Sequence, residues 1–349
     1  MHLRMDLRQE VFGLIVVALA LSACSKPSAT QGAAPRPVAP MVKMTVAYSE
    51  ITFINLPLWT AKADGIFEKH GLDVDLQNID SSTSIAALVS GQVQAAAAGG
   101  SEALSAAVEG ADLQTVAVLG GQYPYVLMAP ASIQTPDDLR GKKVGVSRAG
   151  SSSDIATRVV LKRLGLDPDN DVTIIAVGSL ANRTAALLSG SIDAGLDSPP
   201  GSLKEEAQGL HVLVDIASLK IPAANNVVTL QKSFVDQNKD VVQRFVDSLM
   251  EGSARARSDR AGSIKLLKDY YKSDDDAMMG KTFDFFLEAT AGSMAPQDDE
   301  FGDVIVQLSA KNPSVKDYDL SKILVTSFVS DATARKVGET TSMPVGTGG

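Results

Sequence analysis

Cysteine, histidine and tryptophan are scarce in this 349-residue sequence, which contains one, three and one of them, respectively. The single cysteine, Cys24, excludes an intrachain disulfide and a metal site built from several thiolates. The histidines are His2, His70 and His211, and none has a second histidine four residues away that would form a zinc-binding pair on a helix. The sequence therefore predicts no metal site and no resident cofactor.

Long apolar runs are also missing, because the run at Val11–Leu21 is too short to span a bilayer and no later run approaches that length. It follows two arginines and ends in Leu21-Ser22-Ala23-Cys24, which resembles the cleavage box of bacterial lipoproteins. We therefore predict a signal peptide over 1–24, an acylated Cys24 that anchors the chain to the lipid bilayer on the periplasmic side of a bacterial envelope, and a disordered tether over 25–41. The alternative is an unmodified thiol at a chance position.

Basic runs are absent as well, and the formal net charge is −9. An acidic chain without clusters of lysine and arginine does not attract nucleic acid backbones or anionic lipid headgroups. The sequence therefore argues against a nucleic-acid partner and against electrostatic attachment to a membrane.

Short apolar runs alternate with helical patterns from the tether to about Thr229. The first stretch predicts a strand at Met44–Tyr48, a helix that begins near Pro57 and a parallel strand at Asp73–Gln77. The last third of the chain predicts four helices, at Val241–Ala256, Ala261–Tyr271, Met278–Glu288 and Phe301–Ala310. About 300 residues of this kind suit two α/β lobes better than one small domain.

An internal echo, by which we mean two segments of similar sequence in the two halves of the chain, supports two lobes. Ala86–Ala95 aligns without gaps with Ala185–Ala194, and both segments read as the end of a helix, a glycine stop and a strand. The alternative is convergence, since many helices end at a glycine before a strand. We predict a discontinuous first lobe and a continuous second lobe, followed by a flexible tail: 42–124 plus 226–337, 125–225 and 338–349.

Several short motifs follow one another in a fixed order: Leu56-Pro57-Leu58-Trp59, Gly65-Ile66-Phe67, Gly71-Leu72-Asp73-Val74, Ala87-Leu88-Val89-Ser90-Gly91 and Gly165-Leu166-Asp167-Pro168. Together they resemble the solute-binding proteins of sulfonate-, nitrate- and taurine-type ABC importers, a family related to thiamine-pyrimidine-synthase-like proteins. The resemblance implies an α/β, two-lobed periplasmic-binding-protein type II fold. Each lobe would be an open, mostly parallel sheet flanked by helices, with a helical C-terminal tail on the first lobe. It also implies a monomeric protein without enzymatic activity that delivers a small-molecule ligand to the transmembrane permease of an ABC transporter.

Loops after the strands of open α/β sheets bind ligands, because the carboxyl ends of the strands meet at one edge. Our predicted ligand-binding residues lie in such loops, at helix entries and at the crossings between the lobes. They are Ser49, Glu50, Phe53, Asn55, Trp59, Ser82, Ser84, Gly100, Ser101, Tyr123, Arg148, Ser151, Ser152, Ser153, Asn182, Asp197 and Asn225. For each serine and asparagine the alternative is helix capping or turn formation, and for Trp59 it is core packing.

Two classes of ligand fit these loops. Serine-rich helix entries, together with Arg148 and Arg183, favour a small organic anion of the sulfonate, nitrate or taurine kind. The carboxylates of Glu50, Glu102 and Asp197 instead favour an amine-bearing heterocycle, such as an aminopyrimidine that is a thiamine precursor. The sequence favours the anion.

Two segments are similar to enzyme motifs. Gly145–Gly150 has the spacing of a phosphate-binding loop, but Ser151 stands where a nucleotide-hydrolysing loop requires lysine. Gly99–Ala103 is similar to the nucleophile elbow of hydrolases, so an envelope serine hydrolase that uses Ser101 and His211 is the enzymatic alternative. Such an activity depends on a geometry that residue spacing does not establish.

Overall fold

Ten strands form two five-stranded sheets in the part of the chain that this computed structural model describes, residues 41–290 and 292–339. The predicted signal peptide, Cys24 and nearly all of the predicted tether lie outside the described residues, as does most of the predicted tail. The strands are β1 (Val42–Tyr48), β2 (Leu72–Asn78), β3 (Ala95–Ala98), β4 (Leu113–Gln122), β5 (Val126–Pro130), β6 (Lys143–Val146), β7 (Thr173–Ala176), β8 (Ala194–Asp197), β9 (Leu210–Asp215) and β10 (Pro222–Gln231).

The two sheets have the same topology. The first has the order β2-β1-β3-β10-β4 and the second the order β7-β6-β8-β5-β9. In each sheet four strands run in one direction, and one strand, β10 or β5, pairs antiparallel with both of its neighbours. This confirms the predicted α/β fold class with two open, mostly parallel sheets. We call the sheet that contains β1, with its flanking helices, the first lobe, and the sheet that contains β6, with its flanking helices, the second lobe.

The chain crosses between the lobes twice, once from β4 to β5 and once from β9 to β10. The crossings lie side by side, because the Tyr123 N–H donates to the carbonyl of Ile221 (3.3 Å) and Pro222 is the register partner of Gln122. Two adjacent crossings are the arrangement that a hinge requires. The domain boundaries predicted at 124/125 and 225/226 stay a prediction.

Helices cover the sheets in the order expected from the sequence. They are α1 (Leu56–Ala63), α2 (Ile66–Lys69), α3 (Ser81–Val89), α4 (Gly100–Val108), α5 (Ser152–Arg163), α6 (Leu180–Leu188), α7 (Gly201–Ala207), α8 (Lys232–Gln237), α9 (Lys239–Ser258), α10 (Arg260–Tyr271), α11 (Asp276–Ala289), α12 (Gly302–Ser309) and α13 (Ser327–Ala334). The sequence pattern did not predict α7, α8 and α13, each of which is only six to eight residues long. No helix among the described residues is both long and apolar enough to cross a membrane.

The C-terminal helices complete the core of the first lobe. Phe245, Phe283 and Phe286 are buried in one hydrophobic cluster with β1 and α1. Helix α12 packs on α4 and β10 of the first lobe and also contacts α5 of the second lobe. That helix therefore contacts both lobes.

The internal echo corresponds to one repeated unit. Gly91 and Gly190 both adopt a left-handed conformation after their helices (φ 79° and 69°). The N–H groups of Gln94 and Asp193 then donate to the neighbouring strand, to the carbonyls of Thr45 (2.9 Å) and Lys143 (2.8 Å). Both side chains accept a hydrogen bond back from that same strand residue. The two segments therefore occupy equivalent places in the two lobes.

Candidate functional site

A cavity of about 120 Å³ lies between the lobes, where the carboxyl ends of strands from both sheets meet. The first lobe contributes the segments after β1, β2 and β3, and the second lobe contributes those after β6, β7 and β8. The lining residues are Ser49, Glu50, Thr52, Phe53, Ile54, Asp80, Ser81, Gly99, Glu102, Pro124, Tyr125, Ser147, Arg148, Ser151, Ser152, Ser153, Gly178, Ser179, Leu180, Arg183, Ser198, Asn225 and Asn226. The site lies where the sequence analysis expected a cleft.

Four helices begin at this cavity. Their N-cap residues are Asp80 for α3, Gly99 for α4, Ser151 for α5 and Ser179 for α6. The free N–H groups and the dipole of a helix N-terminus favour negative charge nearby. The Asp80 carboxylate caps α3 by accepting the Ser82 N–H (3.1 Å), and the Ser151 and Ser179 hydroxyls cap α5 and α6 by accepting the N–H groups of Asp154 and Asn182 (both 3.3 Å). Glu102 lies in the first turn of α4.

Arg183 provides a buried positive charge at the cavity wall. The residue is 2% exposed, donates from Nε to the carbonyl of Leu196 and from Nη1 to Ser147 Oγ (3.3 Å), and forms no salt bridge with any described residue. Its aliphatic stem crosses β6 and β8 above Gly145 and Gly195, which are register partners. A Cβ atom at Gly195 would lie 3.3 Å from Arg183 Cγ and Cδ, so glycine leaves the room that the stem needs.

Arg148, in contrast, is neutralised by an acidic partner. Its Nη2 lies 3.0 Å from Glu102 Oε1, and this salt bridge joins the second lobe to the first. Glu102 is 8% exposed, and its Oε2 also accepts hydrogen bonds from Ser101 Oγ (2.6 Å) and Ser152 Oγ (3.4 Å). The pair therefore adds little net charge to the cavity.

Glu50 is the acidic residue of the cavity whose carboxylate has no hydrogen-bond partner among the described residues. Asn55 Nδ2 donates to the backbone carbonyl of Glu50 (2.7 Å) and so fixes the loop after β1. Burial raises the pKa of the Glu50 carboxyl, and Arg183 opposes that rise. Nearby carboxylates, Glu102 first, raise the pKa of Glu50 further.

Other polar groups face the same space. Tyr125 Oη donates to Asn225 Oδ1 (2.9 Å), and burial raises the pKa of Tyr125 above its ordinary value. Thr52 and Asn226 line the cavity, and their side-chain oxygens, Thr52 Oγ1 and Asn226 Oδ1, are buried without a described hydrogen-bond partner. Buried polar atoms without partners are costly, so these two atoms are suited to a bound molecule or to water.

The structure brings together eight of the predicted ligand-binding residues at the cavity: Ser49, Glu50, Phe53, Arg148, Ser151, Ser152, Ser153 and Asn225. The other nine lie outside it. Asn55 supports the Glu50 loop, and Ser101 and Gly100 are buried in the first turn of α4. Gly100 approaches β10 so closely that a Cβ atom there would lie 2.4 Å from Ala224 Cβ.

Trp59 and Tyr123, which were predicted to bind the ligand, do not line the cavity. Trp59 is fully buried and stacks on Tyr270 with 3.8 Å between the ring centroids, so the core-packing alternative is correct. Tyr123 directs its hydroxyl to Asp303 (3.4 Å), away from the cavity. Phe53 lines the cavity but is also part of the core, since its ring packs edge-on against Phe285.

Four polar residues that were predicted to bind the ligand also lie outside the cavity lining. Helix α3 begins at Ser81, so Ser82 faces solvent near Asp80 and Ser84 Oγ donates to the carbonyl of Ile79. Asn182 lies on the exposed side of α6. Asp197 is fully buried behind the cavity wall, where it accepts from Thr184 Oγ1 (2.5 Å) and the Ser198 N–H (2.6 Å).

Arg183 is the most consequential residue that the sequence analysis left out of its site. One signal could have found it, since the echo extended two residues towards the N-terminus pairs Ser84 with Arg183. The same alignment pairs Ala96 with Gly195, and the strand register pairs Ala47 with Ala96 as it pairs Gly145 with Gly195. By position, Ser84 with Ala47 and Ala96 in the first lobe thus corresponds to Arg183 with Gly145 and Gly195 in the second.

The serine-hydrolase alternative has no support in this geometry. Ser101 is fully buried, and its hydroxyl donates to Glu102 and contacts Ser152 Oγ (3.3 Å). His211 lies on β9 opposite Ala129, and no hydrogen bond between described residues joins it to Ser101. Within residues 41–290 and 292–339, no group of three or more His, Cys, Asp or Glu is arranged to hold a metal ion.

Comparisons with known proteins agree with this architecture. The family described as NMT1/THI5-like matches residues 53–260. The riboflavin-binding protein RibY of Chloroflexus aurantiacus is 27% identical over 281 residues, which cover 75% of this chain and 78% of RibY. Among solved structures, the periplasmic aliphatic sulphonate-binding protein SsuA of Escherichia coli has a TM-score of 0.68 at 20% identity, covering 83% of this chain and 99% of SsuA. The periplasmic nitrate-binding protein NrtA of Synechocystis PCC 6803 has a TM-score of 0.66 at 14% identity, covering 84% of this chain and 89% of NrtA.

Proposed function

We propose that this chain, which belongs to the NMT1/THI5-like family and is a solute-binding protein of the periplasmic type, captures a small organic anion in the interlobe cavity. The bound anion would then be delivered to the permease of an ABC importer. The sulphonate-binding protein SsuA and the nitrate-binding protein NrtA share the fold of this chain, and that shared fold is the support they give for an anionic solute.

One observation carries the choice of an anion. Arg183 is a buried guanidinium that reaches the cavity without a salt-bridge partner among the described residues. A buried charge is stable only when it is paired or hydrogen-bonded, and an anionic solute would supply the pairing. The N-termini of α4, α5 and α6 favour the same sign of charge.

A second candidate solute is a heterocycle with N–H donors, such as a flavin or an aminopyrimidine. Glu50, Thr52 and Asn226 offer oxygen atoms that have no described partner and that would accept such donors. The matched relative RibY is named a riboflavin-binding protein, which favours this candidate. The anion remains the primary proposal because it would pair the buried Arg183.

A titration of protein purified after expression of the full chain tests both candidates. The probes are ethanesulfonate, nitrate, taurine, an aminopyrimidine and riboflavin, with thermal unfolding as a first readout because a bound ligand stabilises the folded state. We expect the anions to bind, and Arg183→Met to weaken them by about 30-fold or more, since loss of one partner of a buried charge pair costs 2 kcal/mol or more.

The matched control is Arg244→Met, which removes a guanidinium that bonds the carbonyl of His70, far from the cavity lining. It should leave the affinity unchanged. Binding of riboflavin or the aminopyrimidine that is lost in Glu50→Ala and kept in Arg183→Met would replace the anion proposal with the heterocycle.

The cellular part of the proposal rests on Cys24 and the residues before it. We expect an acylated Cys24 to hold the protein, as a monomer, at the periplasmic face of a bacterial membrane. Cys24→Ser should move the protein from the membrane fraction to the soluble fraction of disrupted cells. Unchanged partitioning into detergent would refute the anchor.

A further inference from the structure

Glu50 and Arg183 both line the cavity, and they come from different lobes. Glu50 follows β1 of the first lobe, and Arg183 lies on α6 of the second. They form no salt bridge, yet Arg183 is close enough to favour the ionised form of Glu50. The space between the two side chains is the space that a solute would fill.

The other charged groups near Glu50 already have partners. From α4, Glu102 pairs with Arg148 of the second lobe, and before α3, Asp80 caps its helix. Behind β8, Asp197 is held by Thr184 and the Ser198 N–H, with the buried Glu205 next to it. Among the charged groups of the described cavity, Arg183 and Glu50 therefore remain free to respond to a solute.

An anion at Arg183 changes the surroundings of Glu50 in two ways. It neutralises the cation that favours the Glu50 carboxylate, and it adds a negative charge at short range. Both changes favour the neutral carboxyl, and burial of the side chain acts in the same direction. A neutral Glu50 can in turn donate its O–H to an oxygen of the solute.

We infer that Glu50 selects the charge of the solute in the cavity. Glu50 takes up one proton when an anionic solute binds at Arg183. This inference rests on the proposed function and extends it to the regulation of the same site. It follows that affinity for an anion decreases as the pH rises, with a limiting slope of about tenfold per pH unit. A solute that presents an amine to Glu50 would cause no such uptake.

Proton uptake can be measured directly in an unbuffered salt solution with a pH-stat. Ethanesulfonate and nitrate are suitable probes because neither binds a proton between pH 5 and 9, so every proton taken up goes to the protein. We expect wild-type protein to take up a substantial fraction of one proton per bound anion near pH 7. In Glu50→Gln the uptake should be absent, and the affinity should be constant from pH 5.5 to 8.5 and tighter than wild type at pH 8.5.

The matched control is Glu109→Gln, which makes the same change at an exposed glutamate outside the cavity lining. It should keep the proton uptake. Anion binding without uptake in the wild type, or with the same uptake in Glu50→Gln, would overturn the inference and leave the proposed function intact. Absence of binding by both anions at every pH would refute the proposed function and the inference together. Absence of uptake in the wild type overturns the inference even if a variant does not fold, and Glu50→Asp is a second variant that should keep the uptake.

Discussion

Arg183 depends on two glycines for its place in the cavity. Its stem lies over Gly145 and Gly195, whose counterparts in the first lobe are alanines. An added methyl group at Gly195 would lie 3.3 Å from Arg183, tighter than an ordinary contact, so the guanidinium would have to move by a few tenths of an ångström. Small displacements of this kind disturb a charged site more than they disturb a fold.

We therefore predict that Gly195→Ala weakens anion binding by about tenfold while it lowers the free energy of unfolding only slightly. Calorimetric titration and thermal unfolding measure the two effects. Gly302→Ala is the matched control, because a Cβ atom there meets nothing within 4 Å. Equal affinities for the two variants would show that the stem does not need the glycines.

Glu205 supports the cavity wall from behind and makes stability depend on pH. It is fully buried beside Asp197, and neither of its oxygens has a described donor. Burial, and then the charge of Asp197, raise the pKa of Glu205 far above that of an ordinary glutamate. Its carboxyl is therefore neutral in the folded protein and can donate to Asp197.

Because an unfolded glutamate releases its proton above about pH 4.3 and the folded Glu205 keeps it, folding stability should decline as the pH rises from about 5 towards 9. Glutamine at position 205 keeps a hydrogen-bond donor and cannot titrate. We expect Glu205→Gln to reduce this decline, as followed by urea unfolding at pH 5, 7 and 9. The same slope in both proteins would mean that Glu205 is ionised when folded.

At the scale of elements, the sequence predicted the strands and the longer helices because their apolar periodicity is strong. It placed the cavity at the strand ends because the carboxyl ends of parallel strands meet at one edge of a sheet. It did not predict which side chains enter the cavity, since a shift of one residue at a helix start turns a side chain by about 100°. The start of α3 is an example, because Asp80 rather than a later serine is its N-cap, and Ser81 instead of Ser82 lines the cavity.

Long-range pairing was the other limit on prediction. Nothing local in the sequence shows that Trp59 stacks on Tyr270, a partner more than 200 residues away, or that Tyr123 meets Asp303. Glu102 and Arg183 were noticed as charges near the loops, but whether each had a partner depended on the fold. The sequence therefore predicted polar loops at the strand ends, whereas the pairing of their charges required the structure.

The salt bridge between Arg148 and Glu102 joins α4 to the loop that precedes α5. We predict that Arg148→Gln increases the rate of solute release several-fold, because a contact that holds the lobes together is lost. The free energy of unfolding should change by less than about 1 kcal/mol, since the arginine is half-exposed. Stopped-flow displacement measures the release rate. Arg140→Gln, which breaks a pair with Asp171 inside the second lobe, should leave it unchanged.

At the scale of the whole molecule, the two adjacent crossings predict a hinge. The lobes touch through Arg148 and Glu102 and through Ser101 and Ser152, so this arrangement corresponds to a closed cleft. We expect the radius of gyration from small-angle X-ray scattering to be larger without solute than with saturating solute. Identical scattering in both conditions would argue for a rigid site.

The position of Arg183 over Gly145 and Gly195 has a consequence for the order of events in solute capture. Arg183, Gly145, Gly195 and Ser147 all belong to the second lobe, so the seat for a negative group stays assembled when the lobes separate. A solute would therefore arrive on the second lobe first, and the first lobe would bring Glu50 to it afterwards. The second lobe would then govern the rate of solute association, and the first lobe would govern the rate of dissociation. Substitutions in the two lobes could therefore change these two rates separately.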